Sequence, residues 1–306
     1  MNRLRHAIMS GLVFLMAATV PGARSWAAAQ DRGDRGGQPG AGRQGGDGRG
    51  GGGLGAKNPD LPAGAFTASS TLAHTKLKHE WVDIPLGGRS VHTWIEYPEG
   101  TAQASVILVT SHEAGLDDWM RAVADQLATQ GFIAIAPDIV SGRGPGGGNF
   151  DSFRFPADVI HAIARLPQDE VLRRYKAALE YGLKLPRARA KSAALGVGMG
   201  GADSFRLAAD VRIDAAVVFY GVAPDDTVLA RIKAPIAGFY GEDDPRVMPT
   251  VLAADATMKR LGKRYEVHVY PGATQGFLRS TVEGQNGPAG AAAWPAAIQF
   301  LRQHLN

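Results

Sequence analysis

The amino-acid sequence predicts an α/β protein with a mostly parallel central sheet covered by helices on both faces. From about residue 78 onward, near-continuous apolar segments alternate with amphipathic helical ones. Strands that are buried on both faces have unbroken apolar runs of this kind, and intervening helices connect them as parallel strands. A glycine-rich segment, 196–201, also follows an apolar run and precedes a helical stretch. This is the strand, turn and helix order of such folds.

The individual elements follow in chain order. Two short strands, 79–85 and 90–97, flank a turn at 86–89. Apolar runs predict strands at 104–110, 132–136, 192–197, 214–220, 235–241 and 264–270. Helical periodicity predicts helices at 117–130, 168–184, 200–209, 247–262 and 289–305. In such sheets ligands bind beyond the carboxyl ends of the strands, so residues just after the strands are the functional candidates.

Residues 1–29 predict a secretory signal peptide. Arg3 and Arg5 form a basic start, 7–20 is mostly apolar, and three alanines at 27–29 precede a cleavage site before Gln30. The apolar run is shorter than the roughly 20 residues that span a bilayer. We therefore expect export to the periplasm or the outside, with no stable membrane anchor after cleavage.

The composition of the mature chain excludes several classes of function. Cleavage removes three arginines and no acid, which leaves 30 basic against 29 acidic residues. Such a balance does not favour nucleic acid or an anionic membrane as partner. The absence of cysteine excludes disulfides and thiolate metal sites. Since His112, Glu113, Asp243 and Asp244 lack a recognised ligand spacing, we expect no metal and no cofactor.

Residues 30–75 predict a flexible glycine-rich linker, and 76–306 the folded domain. Between Gly33 and Gly55, 13 of 23 residues are glycine, so this stretch has almost no side chains to bury. Its arginine–glycine pairs also resemble segments of some RNA-binding proteins. Alternating acidic residues favour a spacer instead.

The glycine-rich segment 196–201 has the form of a nucleophile elbow, G-x-Nuc-x-G. In this motif a sharp turn exposes the reactive side chain of its central residue. Here the central residue is Gly198, which has no side chain. Glycine adopts strained backbone conformations at little steric cost, so the turn can persist without the chemistry.

Further motifs accompany the elbow. His-Glu-Ala-Gly-Leu at 112–116 follows one strand, Gly-Glu-Asp-Asp-Pro-Arg-Val at 241–247 another, and Tyr-Pro-Gly-Ala-Thr-Gln-Gly-Phe at 270–277 a third. In this order and spacing, from about residue 78 to the C-terminus, the chain resembles the dienelactone hydrolase family of the α/β-hydrolases. The family's elbow reads G-x-C-x-G-G, its acid lies in G-x-x-D-x-x-V and its histidine in Y-P-G-A-x-H-x-F.

The resemblance implies a degenerate catalytic triad. The family's cysteine falls on Gly198, its aspartate on Asp244, its histidine on Gln275 and its neighbouring glutamate on Glu113. The same resemblance assigns an oxyanion hole and one further contact to the ligand. They are the N–H groups of Met199 and Ala114, and Arg279, which matches an arginine that contacts a substrate carboxylate in some members.

Nucleophilic hydrolysis needs an attacking atom and a base that returns the proton. Gly198 supplies no such atom, and the amide of Gln275 cannot exchange a proton near neutral pH. Nearby residues do not replace them: His268 is expected to be a solvated or packed strand residue, and Ser204 to pack against the sheet. Ser111, His112 and Glu113 are adjacent on the chain and point to alternating sides. We expect Asp244 to accept an amide N–H from Gln275.

Three functions remain open from the sequence. The first is an exported, catalytically impaired family member that binds a small anionic or ester-like ligand at the elbow. The second is a hydrolase of esters or lactones with a non-standard nucleophile, or with a water activated by Glu113 or Asp244. The third places the function in the glycine-rich arm, as a tether to a partner. The sequence does not decide the oligomeric state.

Overall fold

The structure is a computed structural model that describes residues 60–279 and 287–306. The predicted signal peptide and the glycine-rich stretch 33–55 lie outside the described residues. Within the described part, no helix is long and apolar enough to cross a bilayer.

One sheet organises the described residues. Its strands lie in the order β1-β2-β4-β3-β5-β6-β7-β8. Their bounds are β1 Lys78–Leu86, β2 Arg89–Tyr97, β3 Ala104–Thr110, β4 Ile133–Pro137, β5 Ala188–Val197, β6 Ala215–Phe219, β7 Ile236–Gly241 and β8 Tyr265–Tyr270. The hairpin β1–β2 is antiparallel and β2 pairs antiparallel with β4, whereas all other neighbours are parallel. The predicted mostly parallel sheet is confirmed, with each strand within a few residues of its predicted bounds.

Helices cover both faces of this sheet. They are α1 Ala68–His74, α2 Asp118–Thr129, α3 Pro156–Ala164, α4 Gln168–Gly182, α5 Met199–Asp210, α6 Asp226–Leu229, α7 Met248–Arg260 and α8 Gly287–Leu305. One apolar cluster packs α1, α2 and α8 against alternate strand residues such as Val109 and Phe219. The other packs α3 to α7 against the intervening residues, such as Leu108 and Val218. The period of two along each strand explains this division.

The folded domain begins closer to the N-terminus than the sequence predicts. Residues 60–74, expected to belong to the flexible linker 30–75, pack on the domain, with Leu61 and Ala68 buried in the cluster around α2 and α8. The indole N–H of Trp119 donates to the Ala63 carbonyl at 3.0 Å. A helix of seven residues is too short to show periodicity, so no pattern in the sequence predicts it. The short α3 and α6 were missed in the same way.

The functional candidates lie along one edge of the sheet. Glu113 follows β3, Gly198 follows β5, Asp244 follows β7 and Gln275 follows β8, each at the carboxyl end of a parallel strand. Because β3, β5, β6, β7 and β8 are successive neighbours, these residues belong to loops at the same edge of the sheet. The sequence prediction that they converge at this edge depends on this strand order.

Candidate functional site

The turn between β5 and α5 has the sharp backbone of a nucleophile elbow. Gly198 has φ 56° and ψ −116°, a conformation that residues with a side chain rarely adopt. Its N–H donates to the Phe219 carbonyl at 2.9 Å, and its carbonyl accepts from the Gly201 N–H at 3.1 Å. The turn is therefore fixed on both sides by hydrogen bonds, although its central residue carries no reactive group.

The first turn of α5 sits directly on the end of β3. A Cβ at Gly200 would overlap the Thr110 backbone, so this approach requires glycine. The Thr110 hydroxyl donates to the Gly200 carbonyl at 2.8 Å and lies 3.0 Å from the Ser204 hydroxyl. Ser204 is fully buried in this contact, which confirms that it packs against the sheet.

The Glu113 carboxylate lies where a nucleophilic side chain would begin. A Cβ built on Gly198 would be 3.0 Å from Glu113 Oε2 and 3.8 Å from the His112 Cβ. The structure thus brings Glu113 and Gly198 together. It leaves little room for a larger residue at 198 unless Glu113 moves.

His112 is buried and bonded in a way that prevents it from serving as the missing base. Its Nδ1 accepts the Ala114 N–H at 3.1 Å, which puts the ring proton on Nε2. Nε2 lies 3.1 Å from Asp117 Oδ2, an ion-pair distance. Both ring nitrogens therefore face protein groups. The imidazole orients the loop after β3 and is not available to exchange a proton with a ligand.

Asp117 links this loop to the other side of the cleft. Burial alone would raise the pKa of Asp117, but His112, the Met120 N–H and Arg279 together hold that pKa below its usual value. The Arg279 guanidinium lies 3.5 Å from Asp117 Oδ2 and 5.1 Å from the centre of the Trp119 ring. The predicted ligand-binding Arg279 is thus already paired with a carboxylate, although 38% of its side chain remains exposed.

The expected oxyanion hole is only partly available. The Ala114 N–H donates to His112 and is not free for a ligand, which corrects the role that the resemblance gave it. The Met199 N–H begins α5, and the first N–H groups of a helix have no acceptor within it. One of the two expected donors therefore remains.

Asp244 is buried and bonded differently from the prediction. Its Oδ1 accepts the N–H groups of Arg246 and Val247, both at 3.1 Å, and so shapes the turn into α7. Its Oδ2 is buried and has no hydrogen-bond partner among the described residues. Gln275 is exposed on the loop after β8. The predicted bond between Asp244 and the Gln275 amide is therefore wrong, because the carboxylate satisfies backbone groups of its own loop.

Sequence reasoning missed Tyr220, the residue that follows β6 beside the elbow. Among the described residues it is the only one other than glycine with positive φ, at 39°. It is 3% exposed, and the proton of its buried hydroxyl has no acceptor among the described residues. Burial raises the pKa of Tyr220 well above its usual value, which Arg279 opposes and Glu113 reinforces. The signal in the sequence was a tyrosine directly after the strand that adjoins the elbow.

Other candidates lie outside the cleft. His268 stacks on Phe239 with ring centres 4.8 Å apart, so it is a packed strand residue, as expected. In the described part of the chain, no group of three or more histidine or acidic side chains is arranged to hold a metal ion.

The parallel sheet, the elbow after β5 and the acidic residue after β7 define an α/β-hydrolase fold. The model of the dienelactone hydrolase family matches residues 91–305, and the chain belongs to this family.

Individual relatives agree with this assignment. A Bradyrhizobium protein named "Probable 2-oxo-3-(5-oxofuran-2-ylidene)propanoate lactonase" is 28% identical over 76% of this chain and 98% of its own length. The carboxymethylenebutenolidase of Pseudomonas putida is 26% identical over 65% of this chain and 86% of its own. The crystal structure of a dienelactone hydrolase from Anabaena variabilis superposes with a TM-score of 0.59 over 76% of this chain and all of its own, at 17% identity.

Proposed function

We propose that this protein is an exported, catalytically impaired member of the dienelactone hydrolase family that binds a small carbonyl compound at its elbow. The observation that carries the proposal is Gly198, which keeps the strained backbone of the elbow without an attacking atom. The exposed amide Gln275 stands at the sequence position to which the resemblance assigns the family's histidine. Fold alone does not fix function, so the identities of residues 198 and 275 are stronger evidence about activity than family membership is.

The energetic consequence of losing these two groups is large. In triad enzymes, loss of the nucleophile or the base lowers turnover on the order of a million-fold. No described neighbour supplies a substitute base, since both His112 nitrogens face protein groups and His268 is stacked on β7. Efficient ester hydrolysis by the usual route is therefore not expected.

The ligand class follows from what remains in the cleft. The Met199 N–H at the start of α5 favours a carbonyl oxygen or an anion. Arg279 is paired with Asp117, but 38% of its side chain is exposed, and it supplies positive charge for an acidic group on the ligand. The named activities of the relatives, a lactonase and a carboxymethylenebutenolidase, support small lactones and esters as candidates. No metal or cofactor enters this proposal.

The decisive test restores the missing groups. Purified mature protein should give no burst and negligible turnover of p-nitrophenyl acetate, against about 10 s⁻¹ for a typical enzyme. The double variant Gly198→Cys with Gln275→His should gain at least roughly a thousandfold. In it, the thiolate attacks the carbonyl, p-nitrophenolate leaves, and water hydrolyses the thioester while histidine moves the proton.

Matched controls separate repair from chance reactivity. Gly198→Cys alone should acylate once and turn over slowly, and Gln275→His alone should stay inactive because it lacks a nucleophile. Efficient turnover by the unmodified protein, or trapping of an acyl adduct on it, would overturn the proposal.

Export is tested separately. The mature protein recovered from the periplasm or medium should begin at Gln30, as N-terminal sequencing will show. Retention of the first 29 residues in the cell would contradict the export part of the proposal.

A further inference from the structure

The elbow has an unused hydrogen-bond donor that the family motifs do not mark. Tyr220 is the residue after β6, and Phe219, just before it, pairs with Val197 and accepts the Gly198 N–H. Gly198 and Tyr220 are therefore the first residues beyond two adjacent strands. They leave the sheet side by side.

The tyrosine is held in an unfavourable backbone conformation. A φ of 39° is uncommon for a residue with a large side chain, and such conformations cost on the order of 1–3 kcal/mol. They persist where the surroundings impose them, and they concentrate at functional sites. The ring packs edge-on against Phe277 with centres 5.1 Å apart, so its direction is fixed.

The hydroxyl group at the end of this ring is buried, and none of residues 60–279 and 287–306 is its hydrogen-bond partner. Most buried polar groups form hydrogen bonds, and an exception calls for a missing partner. Two charged side chains, Arg279 and Glu113, act on this hydroxyl in opposite senses. The hydroxyl proton finds no acceptor among the described residues, although Tyr220 directly follows the strand that pairs with the elbow strand.

We propose that the Tyr220 hydroxyl binds the carbonyl oxygen of a small ester or lactone, together with the Met199 N–H. This inference rests on the proposed function. Tyr220 thereby replaces the Ala114 N–H, which is donated to His112. A neutral carbonyl fits this position better than a carboxylate does, because Glu113 Oε2 lies beside the elbow and would repel a second negative charge.

The test uses Tyr220→Phe, with Tyr240→Phe as its matched control. Tyr240 is also a fully buried tyrosine at the carboxyl end of a strand, but its hydroxyl lies 2.7 Å from that of Tyr265. Removing the unpaired hydroxyl of Tyr220 should leave the melting temperature unchanged or raise it. Removing the paired hydroxyl of Tyr240 should lower it, because Tyr265 loses its partner.

For ligand binding we expect the reverse pattern, in which Tyr220→Phe has the large effect and Tyr240→Phe has none. The probe is γ-butyrolactone with a ¹³C-labelled carbonyl, studied by isotope-edited infrared spectroscopy and by calorimetry. The unmodified protein and Tyr240→Phe should shift the bound carbonyl stretch to lower frequency. Tyr220→Phe should lose that shift and bind roughly threefold to tenfold more weakly, as expected for one hydrogen bond.

The outcomes distinguish this inference from the proposed function. An unchanged carbonyl shift and affinity in Tyr220→Phe, or a loss of stability equal to that of Tyr240→Phe, would overturn the role of Tyr220 alone. Hydrolysis of the lactone by the unmodified protein would instead overturn the proposed impairment, and product appearance in the same spectra reports it.

Discussion

Substitution of the elbow glycine by alanine gives the sharpest test of the structure. Gly198 has φ 56° and ψ −116°, and a side chain in such a conformation costs on the order of 1–3 kcal/mol. The new Cβ would also lie 3.0 Å from Glu113 Oε2. Against these costs, alanine lowers the entropy of the unfolded chain, which stabilises by roughly 0.4–1 kcal/mol. We expect Gly198→Ala to lower the free energy of unfolding by about 1–2 kcal/mol.

The two contributions can be separated by a double-mutant cycle. Glu113→Ala removes the side-chain contact but not the backbone strain, so the double variant should recover only part of the loss. Gly262→Ala serves as the control for strain alone. Gly262 also has positive φ, at 64°, and a Cβ there meets no atom within 4 Å. The stability that Gly262→Ala loses should be the same with and without the Glu113 side chain.

The assay is urea unfolding with thermal melting as a second probe. A loss of about 1–2 kcal/mol corresponds to a fall in Tm of roughly 2–8 °C for a domain of this size. A neutral or stabilising Gly198→Ala would refute the reasoning, because it would mean that the backbone at 198 is not held at the elbow conformation. If Gly198→Ala lowers stability equally with and without the Glu113 side chain, the contact with Glu113 is refuted but the backbone strain at 198 is not.

Three further changes test other parts of the structure. Burial raises the pKa of Glu96 from 4.5 to about 9, so its contribution to stability is full below pH 4.5 and is lost as pH rises towards 9. In urea unfolding, the free energy of unfolding should fall by up to roughly 1.4 kcal/mol per pH unit across this range, and Glu96→Gln should remove that fall. The same pH dependence in Glu96→Gln would contradict this. Leu61→Ala should lower the free energy of unfolding in urea by about 2 kcal/mol, whereas Phe66→Ala, at a fully exposed side chain, should lower it by less than about 0.5 kcal/mol. Equal effects would mean that the segment before α1 is not packed. Asp244→Ala should lower Tm because the Arg246 and Val247 N–H groups lose their acceptor. Asp244→Asn keeps Oδ1, so its Tm should stay near that of the unmodified protein. A similar fall in Tm for both variants would show that Oδ2 is bonded after all.

The network behind the elbow explains how the cleft keeps its shape without the triad. In a working triad the histidine ties the acid to the nucleophile. Here Asp117 ties the loop after β3 to the loop after β8, through His112 on one side and Arg279 on the other. This link depends on neither Gly198 nor Gln275. The shape of this frame therefore does not require a side chain at 198 or a histidine at 275.

The strands and the longer helices followed from periodicity, because alternation and apolar runs are local properties. Their failures are equally physical. Helix α1 has seven residues and gains its stability from packing Ala68 and its neighbours on the domain, so no local pattern announces it. The boundary between linker and domain was misplaced for the same reason.

The site residues divide in a similar way. The positions of Glu113, Gly198 and Asp244 followed from motifs placed after strands, and the strand order brings them to one edge. Their hydrogen bonds did not follow. Asp244 accepts N–H groups of its own loop instead of bonding Gln275, and the Ala114 N–H donates to His112, because side chains in turns compete for neighbouring backbone N–H groups.

The sequence by itself determined the fold class, the family and the absence of a nucleophile and a base at the expected positions. These depend on residue identity and on spacing along the chain, which folding cannot change. Only the tertiary structure decided that the Glu113 carboxylate lies against Gly198, that Arg279 pairs with Asp117, and that the Tyr220 hydroxyl is buried with no partner in the described part of the chain. Contacts of this kind join residues far apart in the chain, and close packing, not local preference, selects them.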